Sequence, residues 1–369
     1  MEPKTAKIPF VPENCYLHYL AEGAANIVYR ISVRPPTPDP SILEEYSGTT
    51  PPPTIIETDD GEEVDLAIFD AKLLRVRKDV PTTIPVAVAQ EQYVRLIVPL
   101  FDKEDLVQQE LVKLGPMDIV EKLNIELNKL ELDSAKDMKR PARREGIYLA
   151  EDKFGLLVTD MSANYLREVI EFKPKWLSQS PSAPKDSVRC RNCAVTARRN
   201  QERHTANPPE KLLEGFCPLD LVSRSTDDVL YVASVLLRPK TNFASVERLA
   251  KWIYNNSLLV RLRDAQVYLD KKGPMKANPS NEDYRVAMTL RDCTLYIRLP
   301  NNKEDDETGI EARLGDLDVK SAAKGPYWKE TERQLINEGW YNGNERWTTP
   351  EQQEITCALG RKFRTRDRI

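Results

Sequence analysis

The stretch Glu171-Phe172-Lys173-Pro174-Lys175-Trp176 concentrates groups that could do chemistry. At the two-residue period of an extended strand, Glu171, Lys173 and Lys175 fall on one face, and Phe172 and Trp176 on the other. Two ammonium groups beside a carboxylate suit an anion held next to a group that accepts a proton or a cation. Pro174 has no N–H to give to a ladder, which places this strand at a sheet edge or at its own end. Residues 139–203 carry fourteen Lys/Arg against eight Asp/Glu, in a chain of net charge −4. A surplus this local reads as a built anion site rather than general basicity.

Phosphoryl transfer is the chemistry that such parts serve. It needs small-residue backbone over the phosphates, a cation on a strand behind it, one carboxylate for Mg²⁺ and another to take the acceptor proton. Candidates occur in the order a two-lobe kinase would use them. Gly23, Ala24, Ala25 and Asn26 form the cover, Arg75 is the cation, and Thr159-Asp160-Met161 is the hinge that meets adenine. Asp292 and Asp316 are the two carboxylates. Each aspartate alone reads as a cap or a surface group; the ordered set is what carries the argument. The G-x-x-x-x-G-K-[ST] loop and the kinase H-R-D triplet are both absent from the sequence.

Several elements must position these residues. Strands are expected over residues 15–20, 27–33, 67–77, 91–100, 154–159, 294–299 and 310–319. Residues 35–54, rich in Pro, Ser and Thr, read as a surface loop, and 301–308 as an acidic one. Residues 104–132 have a helical pattern broken at Gly115-Pro116. Lys139 to Arg144 is a basic connector, and 190–203 is helical in its later half. An apolar helix follows the cap signature Ser225-Thr226-Asp227-Asp228, and a second, amphipathic helix covers 245–269.

Composition narrows the rest. The 369 residues are 40% hydrophobic and 30% charged, enough for two lobes with their own cores. No run approaches the 18 or more apolar residues of a membrane span, and Met1-Glu2-Pro3-Lys4 does not read as a signal peptide. The net charge argues against stable nucleic-acid binding and against a membrane partner. His18 and His204 are the two histidines, so acid–base work falls to carboxylates, lysines and arginines. Six cysteines in so long a chain predict a reducing, intracellular setting rather than a disulfide framework. Cys190-Arg191-Asn192-Cys193 with His204 and Cys217 has irregular spacing for zinc, and these cysteines are read as free thiols.

Together Glu22-Gly23-Ala24-Ala25-Asn26-Ile27-Val28, Leu74-Arg75-Val76, Glu171-Phe172-Lys173-Pro174-Lys175, Cys217-Pro218-Leu219-Asp220-Leu221, Arg291-Asp292-Cys293-Thr294 and Asp316-Leu317-Asp318-Val319-Lys320 resemble the inositol-pentakisphosphate 2-kinase family, in a fungal-like form. The resemblance implies an α+β, two-lobe inositol phosphate kinase fold, distantly protein-kinase-like, with mixed or antiparallel sheets and helices in each lobe. Residues 1–160 would form the N-terminal lobe and 161–369 the C-terminal one. It implies ATP and Mg²⁺ as cofactors and inositol 1,3,4,5,6-pentakisphosphate as the acceptor at its 2-hydroxyl. Arg75 would meet the ATP phosphates and Glu171 the ribose. Lys173 and Lys175 would meet substrate phosphates, Lys173 nearest the transfer. Asp292 would be the base and Asp316 the Mg²⁺ ligand. Lys320, Lys324 and Trp328 would wall the inositol phosphates, Arg144 would hold one phosphate, and Asn242 matches a substrate contact. Plant relatives carry a zinc site in their C-terminal part that has no matching Cys/His pattern here. A monomer, nuclear or cytoplasmic, is expected. A non-catalytic inositol phosphate or RNA binder with a kinase-like fold is the alternative, and a protein or small-molecule kinase a third.

Overall fold

The computed structural model describes residues 8–12, 15–33, 55–57, 63–115, 118–132, 140–162, 167–238, 243–300, 309–343 and 356–361. The loops expected at 35–54 and 301–308, Lys139 and Asn242 lie outside these residues. The architecture is mixed α+β, and the ladders between strands among the described residues are antiparallel. Two compact units are formed, residues 1–91 with 107–160, and 92–106 with 161–369.

In the first unit β1 (Cys15–Glu22) and β2 (Asn26–Val33) make a hairpin closed by the small-residue turn Gly23-Ala24-Ala25. Short strands β3 (Ile55–Glu57) and β4 (Glu63–Asp65) pair with each other. With β5 (Lys72–Arg77), β6 (Gln109–Lys113) and β7 (Phe154–Thr159), the hairpin forms a sheet in the order β1-β2-β5-β7-β6. Ile27, Leu74, Val76 and Leu157 bury one side of it. The covering helix lies further along the chain at Ile119–Leu132, where Val120, Leu123 and Leu127 make an apolar stripe at helical spacing. The expected strand 67–77 is shorter than read, because Leu66–Phe69 winds into a 3₁₀ turn before β5.

Two assignments in this part of the chain are corrected. Residues 91–100 are helical: α1 (Val86–Gln92) runs on as a π turn over Tyr93–Ile97 and a 3₁₀ turn over Val98–Leu100. Tyr93 and Ile97, four apart, are buried, while Val94 and Val98 face out, so burial follows a helical period despite the β-branched composition. Residues 109–113 form the edge strand β6, because β7 supplies a complete ladder for them. The helix in the expected 104–132 is then α2 (Ile119–Leu132) alone, with 3₁₀ turn Lys103–Asp105 before the strand.

The second unit carries β8 (Arg167–Phe172), β9 (Thr294–Pro300) and β10 (Glu311–Gly315) in the order β10-β9-β8. Leu295, Ile297 and Leu299 of the central strand enter a core shared with helices α4 (Thr226–Leu236), α5 (Phe243–Asn255), α6 (Ser257–Leu269) and α7 (Glu282–Leu290). The helix expected over 245–269 is two helices. Asn256 interrupts it as an N-cap, its side chain accepting the Leu259 N–H at 3.2 Å. Helix α3 (Arg191–Thr205) is helical throughout, and α8 (Gly325–Asn337) follows the last strand. β8 is an edge strand that stops at Phe172, where Pro174 placed its end. No helix among the described residues is long and apolar enough to cross a membrane.

Candidate active site

Antiparallel pairing brings three chain segments out at one end of the β10-β9-β8 sheet. Phe172 pairs with Leu295, and Gly315 with Thr294. Lys173 therefore leaves the end of β8, Asp292 precedes the start of β9, and Asp316 follows the end of β10, all at the same edge. Residues from three distant parts of the sequence become neighbours through register alone.

Their side chains form one ion cluster. Lys175 Nζ is 2.9 Å from Asp292 Oδ1, and Lys320 Nζ is 2.9 Å from Asp292 Oδ2. Lys173 Nζ donates to Asp316 Oδ2 at 2.8 Å and to the Asp292 carbonyl oxygen at 2.5 Å. The two carboxylates are 42% and 44% exposed, so the cluster is open to a ligand. Burial pushes the Asp292 carboxyl up, and the Lys320 and Lys175 ammonium groups outweigh it, holding the group well below the usual carboxylate range. Burial pushes Lys173 down, but Asp316 and Asp292 together raise it. Lys324, half-buried at the turn before α8, is lowered by burial and by Lys320.

Two of these residues hold unusual backbone. Among the described residues the non-glycine positions with positive φ are Ala71, Lys175 (60°) and Asp316 (56°). A left-handed conformation costs a non-glycine residue roughly 1–2 kcal/mol, so surrounding contacts must impose it. At Asp316 it turns the chain sharply out of β10, which ends the strand expected to reach 319. Lys320 is fixed by α7: its N–H donates to Thr289 Oγ1 at 2.9 Å, and Arg285 Nε donates to its carbonyl oxygen at 2.7 Å.

Trp328 does not present a surface to a ligand. It is buried in α8 against Trp176, Tyr284 and Met288, with its ring edge-on to Tyr284 at 5.5 Å, while the adjacent Tyr327 is exposed. An indole of this size is worth more in the core than at a rim. Glu171 is exposed at the end of β8, opposite Tyr296. Met161 is buried at 4% exposure.

In the first unit Gly23 N–H donates to Asn26 O at 2.9 Å, and Arg75 lies on β5 between Val28 and Leu156. The Thr159 and Asp160 N–H groups donate to Gln108 and Ala71 carbonyl oxygens. Arg144 ends the 3₁₀ turn Ala142–Arg144. The sequence reading missed Lys78, which is fully buried, donates to the Glu22 carboxylate and reaches the Gly23 carbonyl oxygen at 3.0 Å. Arg140, counted in the basic connector, is buried too and grips Glu22 through Nε and Nη2. This buried trio anchors the hairpin turn. Its one sequence signal is Glu22 standing directly before Gly23.

Cys190, Cys193 and Cys217 are free thiols, as read, but they stand together rather than apart. With Cys357 their sulfur atoms lie within 4.8 Å of one another, and none is in a disulfide. Cys217 Sγ is 3.8 Å from Cys190 Sγ and 3.6 Å from Cys357 Sγ, and the Cys190 N–H points at Cys357 Sγ at 3.1 Å. His204 stands outside the group. Four sulfurs each about 2.3 Å from a tetrahedral ion would be about 3.8 Å apart, so the donor set fits a zinc ion. Cys357, 140 residues beyond Cys217, has no spacing signal in the sequence.

A family profile described as inositol-pentakisphosphate 2-kinase matches residues 19–334. A protein named inositol-pentakisphosphate 2-kinase from Yarrowia lipolytica is 33% identical over 184 residues, 49% of this chain and 56% of the relative. One of the same name from Debaryomyces hansenii is 28% identical over 200 residues, 45% of this chain and 49% of the relative. The chain spans about half the length of the curated relatives it matches.

Proposed function

Because the chain belongs to the inositol-pentakisphosphate 2-kinase family, we propose that it transfers the γ-phosphoryl group of ATP to the 2-hydroxyl of inositol 1,3,4,5,6-pentakisphosphate, giving inositol hexakisphosphate. The observation that carries this reading is the convergence of Lys173, Lys175 and Lys320 on Asp292 and Asp316 at one open sheet end. An acceptor with five phosphates needs several fixed cations around its reacting hydroxyl, and the reaction needs a carboxylate there.

In the free protein these lysines are held by the aspartates. Incoming phosphates compete for Lys175 and Lys320, and as they take the ammonium groups Asp292 is released towards its ordinary basicity. Asp292 then accepts the 2-hydroxyl proton, that oxygen bonds to the γ-phosphorus, and the bond to the ADP oxygen breaks. Lys173, beside both carboxylates, neutralises charge on the transferring group. Asp316 offers a half-exposed oxygen ligand of the kind Mg²⁺ takes alongside nucleotide phosphates, and Mg²⁺ there would supply further charge neutralisation.

Within the same reading, the two units act as the two lobes of a kinase-like fold, divided at 160/161 as expected except that residues 92–106 belong with 161–369. Gly23 to Asn26, Arg75, Thr159, Asp160, Met161 and Glu171 serve ATP. Arg144, Lys324 and Asn242 add substrate contacts, whereas Trp328 supports the wall from behind. A binder without turnover gains nothing from two carboxylates among its lysines, which weighs against the non-catalytic alternative. Incubation with ATP, Mg²⁺ and a panel of inositol phosphates, followed by product separation, tests the proposal. Inositol hexakisphosphate formed from the 1,3,4,5,6 isomer is the expected result; no turnover of that isomer overturns it.

A second reading concerns the four cysteines. The closeness of their sulfur atoms, all within 4.8 Å, supports a zinc ion held by Cys190, Cys193, Cys217 and Cys357, tying the segment 356–361 to α3 and to the 3₁₀ turn Pro218–Val222. Arg361 reinforces the same attachment by bridging Asp220 at 2.5 Å and Asp228 at 2.6 Å.

A further inference from the structure

Gln266, on α6, is fully buried behind the ion cluster and uses every polar atom of its amide. Its Nε2 donates to the Lys175 carbonyl oxygen at 2.9 Å and to the Leu290 carbonyl oxygen at 3.1 Å. Its Oε1 accepts the Leu177 N–H at 3.0 Å. Two carbonyl partners and one N–H partner leave a single consistent orientation of the amide. One side chain thus clamps the backbone on both sides of Trp176 and also the residue two before Asp292.

These two segments supply the Lys175–Asp292 pair, and Lys175 is one of the left-handed positions. Resting on the kinase reading of the site, we propose that Gln266 is a positioning residue for phosphoryl transfer. It imposes the left-handed backbone at Lys175 and sets the distance from the Lys175 ammonium to the Asp292 carboxylate. Without the clamp, Lys175 relaxes to negative φ, and its side chain swings away from Asp292. The same helix braces the pair a second time. Arg291, next to Asp292, donates to Asp270 at 2.6 Å and to the Gln266 backbone oxygen at 3.2 Å, and its guanidinium lies 3.7 Å from the centre of the Trp176 ring. A glutamine that only satisfied core backbone would have no selective hold on these two segments.

The test uses the full chain carrying Gln266→Met, which keeps the shape and removes all three hydrogen bonds, and Gln266→Glu, which keeps the acceptor for Leu177. The first readout is acylation of lysines by an amine reagent without ligand, mapped by mass spectrometry. Loosening of a partly exposed ion pair should raise Lys175 labelling by about twofold to fivefold. Lys320, paired to the same carboxylate but held by Thr289 and Arg285, serves as the internal control and should not change. The second readout is turnover, which should fall by up to about 10²-fold with the KM for ATP unchanged, the usual effect of a small misplacement of reacting groups. In Gln266→Glu the deficit should shrink as pH falls, because the protonated acid regains one donor. Equal labelling changes at Lys175 and Lys320, or a lower melting temperature with Lys175 labelling and turnover unaltered, would overturn the proposal. If the wild-type protein phosphorylates no inositol phosphate, the kinase reading fails, while the labelling ratio still decides whether Gln266 positions Lys175. If Gln266→Met does not fold, Gln266→Glu decides on the same two readouts.

Discussion

Lys175 Nζ and Asp292 Oδ1 stand 2.9 Å apart across 117 residues of chain, and the other oxygen of the same carboxylate holds Lys320. Both oxygens of the candidate base are therefore occupied by the cations that a phosphorylated acceptor would claim. On the proposed mechanism, binding of the acceptor and exposure of Asp292 are one event, and Asp292 acts only on an acceptor that displaces two lysines.

Asp292→Asn should leave the fold and ATP binding intact and lower turnover by about two to four powers of ten, the reach of a positioned base. Steady-state rates with inositol 1,3,4,5,6-pentakisphosphate, compared with nucleotide affinity by calorimetry, measure this. Turnover within a few-fold of wild type would remove Asp292 from that role.

The depressed Asp292 carboxyl carries a pH signature whose sign follows from linkage. Its folded value is below its unfolded value of about 3.9, so the group contributes stability above that pH and loses it as pH falls through the folded value. For a partly exposed cluster the contribution is about 1 kcal/mol at most. The stability difference between wild type and Asp292→Asn should therefore begin to shrink below about pH 4 and close only once pH falls below the depressed folded value. Carboxyl NMR should also show the Asp292 titration move upward when inositol hexakisphosphate, used as a probe, occupies the lysines.

The cysteine group predicts close to one zinc per chain by elemental analysis of protein purified without chelator. Cys357→Ser should lose most of it and lower the melting temperature, because structural zinc contributes directly to folding. Zinc-free protein that melts like the wild type, with or without chelator, would exclude the site.

Glu22, buried between Lys78 and Arg140, makes a stability prediction for the hairpin. Burial pushes its carboxyl up, and hydrogen bonds from Arg140 and Lys78 reverse the shift and hold it low. Glu22→Gln removes the charge but leaves two buried cations, at a cost of about 3–5 kcal/mol. Denaturant unfolding of the variant reads this directly, and a loss below 1 kcal/mol would mean the cations find other partners.

The sequence by itself picked out the charged residues that the structure brings together at one sheet end. Lys173 and Lys175 flank a proline that must end a strand, and Asp292 lies just before the expected strand 294–299, whereas Asp316 was expected inside a strand that in fact ends at Gly315. The hairpin around Gly23 and the strand Phe154–Thr159 were legible because alternation and small-residue turns are local signals. Tertiary structure decided what depends on partners distant in the chain. Tyr93–Ile97 became helical because burial selects every fourth residue there, and Gln109–Lys113 became a strand because β7 offered a ladder. Gln266 and Cys357 acquire their meaning from contacts spanning 91 and 140 residues, and no local pattern encodes which of many glutamines or cysteines will be met. Trp328 shows the converse: the family resemblance implies a ligand wall there, and packing against Tyr284 puts it in the core. Local spacing marks which residues can do chemistry, whereas burial and register, which are properties of the whole chain, decide the ambiguous elements and what each residue faces.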